Sequence, residues 1–413
     1  MHIVDVAEFY APLGGGVKTY IDAKLAFAHR NGATVSVIAP GPKNRAEPRD
    51  GGQVIYVKAP AIPVDTRYHV FWNAAPVHAL LDDLKADVVE ASSPFRGAWI
   101  VSNWKGHAAR RAHKAMFMHA DPIAAHLQTW SQDWLSADAV DKLAAPGWRY
   151  LARTARAYDS VIVGSRWFAK RIERHGGIPS TLVPLGVDTD LFHPTKRDCE
   201  LRRSMLADFG LPPSARLLVG VGRHHHEKQW PVVFRAVGAL KDEGVAMVQI
   251  GGGFAGEKVA KAAAAAGNVK LLGHVEDRQM LARILASCDA MIHGSRAETF
   301  GLVASEGLAS GIPLILPSQG GCTDAADPAW AELYEPGNST AARDAIHRLL
   351  TRNPDELRVA AIGARRTHIS TPAQHFEQLF SLYRNATPPV LHPLSAPATD
   401  IGPVAAAAGA RAR

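Results

Sequence analysis

The chain has 413 residues, of which 47% are hydrophobic and 21% charged, and a formal net charge of +7 at pH 7. That length exceeds one ordinary core and suggests two domains, while no apolar run approaches the roughly 20 residues that cross a bilayer. Cys199, Cys288 and Cys322 are odd in number and scattered, which points away from a disulfide framework or a zinc site.

The opening residues run straight into a strand-like segment at His2, with no basic leader and cleavage site, so a reducing cytoplasm is the expectation. Apolar runs follow at residues 3–6, 34–39, 54–57, 87–91, 115–118 and 160–163, most of them separated by helix-like stretches. That alternation predicts a parallel α/β unit. Within it, residues 91–120 carry Arg96, Lys105, Arg110, Arg111 and Lys114 and no acid, interleaved with Trp99 and Trp104. Such a stretch could meet an anionic membrane surface or an acidic acceptor; no nucleic-acid motif accompanies it.

Near residues 181–184 the alternation pauses, and Leu185-Gly-Val-Asp-Thr-Asp-Leu-Phe-His-Pro194 reads as a linker. A second series has runs at 216–222, 246–250, 268–272, 290–293 and 312–316. Helical segments over 340–384 close the ordered part, and the Pro- and Ala-rich tail reads as disordered. Two α/β units joined by a linker imply a cleft between them.

Four local patterns carry chemistry. Gly14-Gly15-Gly16 follows the first strand and opens the first helix, where bare N–H groups and absent side chains suit a phosphate. Arg223 and Lys228 follow the first strand of the second unit, five residues apart, and are placed to straddle a diphosphate. Such a pair neutralises the charge that builds on a leaving nucleoside diphosphate. His119 ends the 115–118 strand, with Asp121 two residues on.

The densest pattern is Glu298-Thr-Phe300-Gly301-Leu302-Val-Ala-Ser-Glu306, between two apolar runs. Phe300, Gly301 and Leu302 are expected to open a helix, their N–H groups turned to an anionic or polyhydroxylated ligand. Glu298 and Glu306 could then accept from its hydroxyls.

Together these residues resemble, in order and spacing, the large sucrose-synthase- and mannosyltransferase-like family of retaining glycosyltransferases (glycosyl transferases group 1). Pro184-Leu-Gly-Val-Asp188 at the linker adds to the likeness. The resemblance implies an α/β chain of the GT-B class, two Rossmann-like domains facing across a cleft. Residues 1–185 would form the acceptor-side domain, completed by a helix over 371–385. Residues 186–370 would form the nucleotide-sugar domain, and 386–413 the disordered tail.

By the same resemblance His119, Arg223, Lys228 and Glu298 would be catalytic. Gly15, Gly16, Phe300, Gly301, Leu302 and Glu306 would bind the donor, Glu306 through the ribose, and Asp121 would bind the acceptor. The activity implied is transfer of a hexose from a GDP- or UDP-sugar to a glycolipid, lipid-linked saccharide or polysaccharide in envelope glycoconjugate synthesis. No metal or other cofactor is expected, because the nucleotide-sugar is a co-substrate. The localisation implied is cytoplasmic, with peripheral contact at the cell membrane through 91–120.

One departure stands out: the family usually has Gly after the Lys, and here Gln229-Trp230-Pro231 follows. An expected consequence is an altered loop near the donor. Two rivals share the fold, a nucleotide-sugar 2-epimerase-like isomerase and a non-catalytic sugar-nucleotide-binding subunit. Gly251-Gly-Gly253-Phe-Ala-Gly256 also fits a dinucleotide fingerprint, but no hydride-transfer site accompanies it. We read it as a loop near the nucleoside base. His224-His225-His226 reads as a solvated loop and Asp188-Thr-Asp190 as turn-forming acids.

Overall fold

A computed structural model describes residues 1–11, 16–63, 65–128, 131, 134, 136–295 and 297–386. Gly14, Gly15 and the tail from residue 387 fall outside these, and with them the expected phosphate contact at Gly15 and the expected disorder of the tail.

Long apolar runs that are buried on both faces favour parallel sheets covered by helices. Val88–Ala91 and Val245–Ile250 are buried along their whole length. Two such sheets form among the described residues. The first runs in the order Thr181–Leu182, Ser160–Val163, His113–Met118, Val88–Ala91, His2–Val6, Thr34–Gly41, Gly52–Lys58, Arg45–Arg49, and only the last pairing is antiparallel. The second runs Val269–Gly273, Val245–Ile250, Arg216–Val221, Ala290–Ile292, Leu314–Pro317, Ala331–Tyr334, all parallel.

Each sheet is doubly wound: its order turns around at its first strand. The turning points lie between His2–Val6 and Val88–Ala91, and between Arg216–Val221 and Ala290–Ile292. Crevices for ligands open there, at the carboxyl ends of the strands. Two apolar clusters pack on each sheet, one per face.

Several strands escape sequence reading. Arg45–Arg49 is a polar edge strand, Ala61–Ile62 with Asp65–His69 is a small hairpin, and Thr181–Leu182 spans two residues. Ala331–Tyr334 closes the second sheet. All are short or half exposed, so they lack the continuous apolar run that marks a buried strand.

The helix Pro372–Ala386 returns to the first sheet. Its Phe376, Leu379, Phe380 and Tyr383 are buried with Ile3, Val35 and Phe117. Where the chain crosses between the units, the Val187 N–H donates to Ser370 O at 2.8 Å. Asp188 Oδ1 accepts from the N–H groups of Asp190 and Leu191, so its turn is a capped one.

Candidate active site

The two switch points face one another, and the loops that leave them build the site. In the second unit, the strand Arg216–Val221 leads into Gly222–Gln229, and Ala290–Ile292 leads into His293–Gly301. These loops touch tightly: a Cβ on Gly294 would lie 2.4 Å from Lys228 O. Only glycine permits that approach.

The contact brings three polar side chains together. Lys228 Nζ donates to Glu298 Oε2 at 2.5 Å, and His293 Nε2 lies 3.3 Å from the same oxygen. Burial works against the Glu298 charge, but the Lys228 ammonium and His293 outweigh it and hold the carboxyl well below the usual range. Burial also works against the Lys228 charge, and Glu298 and Glu227 outweigh it, so the ammonium titrates above its ordinary value. Both groups are ionised at neutral pH. Tyr334 Oη donates to His293 O at 2.6 Å and fixes that residue's backbone from a strand two places along the sheet.

Arg223 stands at the rim with 71% of its side chain exposed, and its guanidinium is 3.5 Å from Glu227. It is a free-reaching cation beside a fixed one. That arrangement suits a diphosphate, gripped by one deep and one mobile positive charge.

The Trp230 expectation needs correction. Its ring is 1% exposed, stacks on Phe234, and donates from Nε1 to Arg223 O at 3.0 Å. It supports the loop from behind. Gln229, where the resembled family usually has glycine, adopts φ 49°, a left-handed conformation that glycine enters freely.

The helix after Glu298 begins later than expected, at Leu302, and runs to Ala309 with Gly301 (φ 87°) as its N-cap and no side-chain cap. A Cβ on Gly301 would fall 2.6 Å from the Cys322 Cα. The first N–H groups of this helix have no intrahelical acceptor and remain suited to an anion. Phe300 serves differently: its ring packs across the cleft, 3.2 Å from the position a Cβ on Gly164 would take. Glu306 lies within the helix, 3.5 Å from the Arg278 guanidinium. Burial raises its carboxyl to about 7, although Arg278 opposes the shift.

From the first unit, His119 reaches the same place. Thr299 Oγ1 donates to His119 O at 2.9 Å, and Ser165 Oγ donates to Thr299 O at 2.5 Å. The His119 ring stacks on Phe117 at 4.3 Å and meets Tyr20 edge-on. Burial, then the nearby Lys24 charge, lowers it to about 3, so the imidazole is neutral. Its Nε2 is buried with no hydrogen-bond partner among the described residues. A buried polar atom of that kind calls for a partner, and a sugar hydroxyl would supply one. Gly16 starts the first helix, and open space surrounds the position of its missing side chain.

Asp121 is elsewhere employed. It is 1% exposed; Oδ1 accepts from the N–H groups of Ile123 and Ala124, and Oδ2 pairs with Arg171. Arg171 in turn makes two 2.8 Å bonds to Asp141. Asp121 therefore caps a turn and anchors a helix, and the expected acceptor contact is not available to it.

The basic stretch 91–120 is divided between core and surface. Trp104 is 1% exposed in the core, Arg96 lies 4.1 Å over the Trp99 ring, and His113–Met118 forms an interior strand. The exposed Lys105, His107, Arg110 and Arg111 sit in the loop before strand His113–Met118, at the amino edge away from the cleft. The histidine run is not uniformly solvated either: His224 is buried, with Nε2 2.8 Å from Gln249 Oε1.

Sequence reasoning missed one buried network beneath the site. Asp5 and Glu90 are direct partners on adjacent strands, and Lys24 Nζ bonds both, at 2.7 and 2.8 Å. Ser92 Oγ donates to Asp5, and Tyr383 Oη to Glu90. The available signal was an acid inside each of two apolar strand runs, since paired buried carboxylates demand a cation.

A family model described as "Glycosyl transferases group 1" matches residues 202–367, and one described as "Glycosyltransferase Family 4" matches residues 14–191. A Mycobacterium tuberculosis GDP-mannose-dependent alpha-(1-6)-phosphatidylinositol dimannoside mannosyltransferase is 30% identical over 331 residues, 78% of this chain and 81% of its own length. A Corynebacterium glutamicum GDP-mannose-dependent alpha-mannosyltransferase is 26% identical, covering 78% and 74%. Among solved structures, a sucrose-phosphate synthase from Thermosynechococcus elongatus matches with a TM-score of 0.73 at 18% identity, over 93% of this chain and 98% of its own. An Anabaena protein in complex with UDP and glucose matches with a TM-score of 0.67 at 16% identity, over 92% and 99%. The fold is the expected pair of Rossmann-like domains across a cleft.

Proposed function

The chain belongs to the group 1 glycosyltransferases, and from that we propose that it is a retaining, metal-independent mannosyltransferase that uses GDP-mannose and a lipid-borne acceptor. The observation that carries this reading is the ion pair Lys228–Glu298 beside Arg223, with the free His119 Nε2 opposite. Relatives named as GDP-mannose-dependent support the donor.

In the proposed path, the bond from the sugar C1 to the diphosphate oxygen breaks while the acceptor oxygen bonds C1 on the same face. The acceptor's proton passes to the departing phosphate oxygen. Lys228, Arg223 and the helix N-terminus at Leu302 meet the charge that develops on the diphosphate, the role a divalent ion plays elsewhere. Glu298 orients Lys228 and accepts from the sugar hydroxyls, and neutral His119 bonds another. Glu306 accepts from the ribose.

A cavity of about 440 Å³ between the units suits the acceptor. It is bordered by Trp167, Lys170, Arg174 and His175 from the first unit and Gln319 from the second. Lys170 and Arg174 favour a phosphate-bearing headgroup. Leu143, at the end of a helix whose Asp138 and Asp141 line that cavity, is exposed, as is Trp134 at 83%. They would let this face rest on a lipid surface. No helix among the described residues is long and apolar enough to cross a membrane.

The test is transfer of labelled mannose to a phosphatidylinositol mannoside from GDP-mannose, with UDP-glucose as control and with chelator present. Expected is α-linked product from GDP-mannose alone, undiminished by chelator. Lys228→Ala should lower kcat/KM by roughly 10²–10³. Transfer from UDP-glucose only, loss on chelation, or an inverted linkage would each refute the corresponding part.

A further inference from the structure

The second unit carries another cation-rich site, on the side away from the cleft. Arg216 begins the strand whose carboxyl end carries Arg223 and Lys228, and Asp289 precedes the strand that leads to Glu298. Between these amino ends and the helices Ser339–Leu350 and Pro354–His368 lies a cavity of about 260 Å³. Arg197, Arg202, Arg216, Arg352 and Arg358 line it.

The charge there does not balance. Asp289 is taken by Arg202 at 2.7 Å and by the Leu217 N–H at 2.8 Å. Arg352 donates to the carbonyls of Pro328 and Ala329 and lies 3.7 Å from Glu332. Arg358 donates to Ala286 O. Burial, then the Arg197 charge, pulls the Arg358 guanidinium down to about 10. Asp355 is the other lining acid. Five lining cations stand against two lining acids, with Glu332 behind Arg352, so positive charge is in excess around a small concave space.

We propose that this cavity binds a small multivalent phosphate anion, separate from the donor site. Fixed guanidinium forks are the geometry that phosphate oxygens accept best. The volume lies just below that of drug-sized ligand sites, so it suits phosphate, diphosphate or a sugar phosphate rather than a whole nucleotide-sugar. Apolar Leu349, Leu350 and Leu357 complete the wall and limit competing water. Because two central strands, Arg216–Val221 and Ala290–Ile292, link this cavity to the donor loops, its occupant is placed to bias them.

The experiment is calorimetric titration with inorganic pyrophosphate, using the full chain carrying Arg223→Ala and Lys228→Ala so that the donor site is silenced. Saturable binding should remain in that background and weaken at least tenfold when Arg197→Gln and Arg216→Gln are added. Ser214→Glu, at the exposed rim, is an independent variant and should weaken binding similarly. Loss of all binding in the donor-silenced background overturns the proposal. So does unchanged affinity in both cavity variants. Neither outcome depends on which sugar nucleotide the cleft uses.

Discussion

Glu306 is a carboxyl that burial raises to about 7, from an ordinary 4.5. For an acid raised in the folded state, the stabilising contribution is present below pH 4.5 and is lost as pH climbs through 7. The loss amounts to roughly 3 kcal/mol. Donor binding should run the other way, because a ribose hydroxyl donates best to the ionised group. We predict that the affinity for GDP-mannose rises as pH climbs from 6 through about 7 and flattens only about one pH unit above that. Titration calorimetry across that range checks this, and Glu306→Gln should remove the pH dependence. His119, lowered to about 3, should contribute no inflection between pH 5 and 8 to the same profile. At this scale the sequence was informative where chemistry is local. Lys228 and Glu298 stood out by motif, whereas the αL backbone of Gln229 hid behind a side chain that does not advertise it.

The helix Pro372–Ala386 shows what a single element contributes. It is the last described helix, yet it seals the core of the first sheet with Phe376, Leu379, Phe380 and Tyr383. Phe380→Ala should destabilise the protein by about 3–5 kcal/mol, since the residue is fully buried and its cavity cannot collapse. Tyr383→Phe should cost about 1–3 kcal/mol, because it removes a donor from the buried Glu90 carboxylate. Urea denaturation measures both. The periodicity of this helix was legible, but its destination was not. Likewise, the long buried strands announced themselves, while Arg45–Arg49 and Ala331–Tyr334 take their strand character only from a neighbour's edge.

At the scale of the molecule, the cleft is held by a few specific bonds. Thr299 joins the Glu298 loop to His119 and Ser165, and the Arg166 N–H donates to Asp324 at 2.6 Å. Thr299→Val should therefore raise the KM for the donor by about 2- to 10-fold, the worth of one such bond, with little change in melting temperature. Steady-state kinetics and a thermal melt together decide it; a large loss of stability with unchanged KM would mean that the bond serves folding alone.

What the sequence alone determined is whatever near neighbours along the chain decide. Apolar periodicity specified parallel α/β units, and residues 298–306 specified a loop and helix with two acids, because strand, turn and helix signals act over a few residues. The tertiary structure decided which charges are spent. Asp121 pairs with Arg171 across 50 residues, Lys24 with Glu90 across 66, and Tyr383 with Glu90 across 293. It also moved Trp104 from a supposed surface into the core. An ionised group is functional only if no buried partner already satisfies it, and that partner is chosen by packing between distant segments.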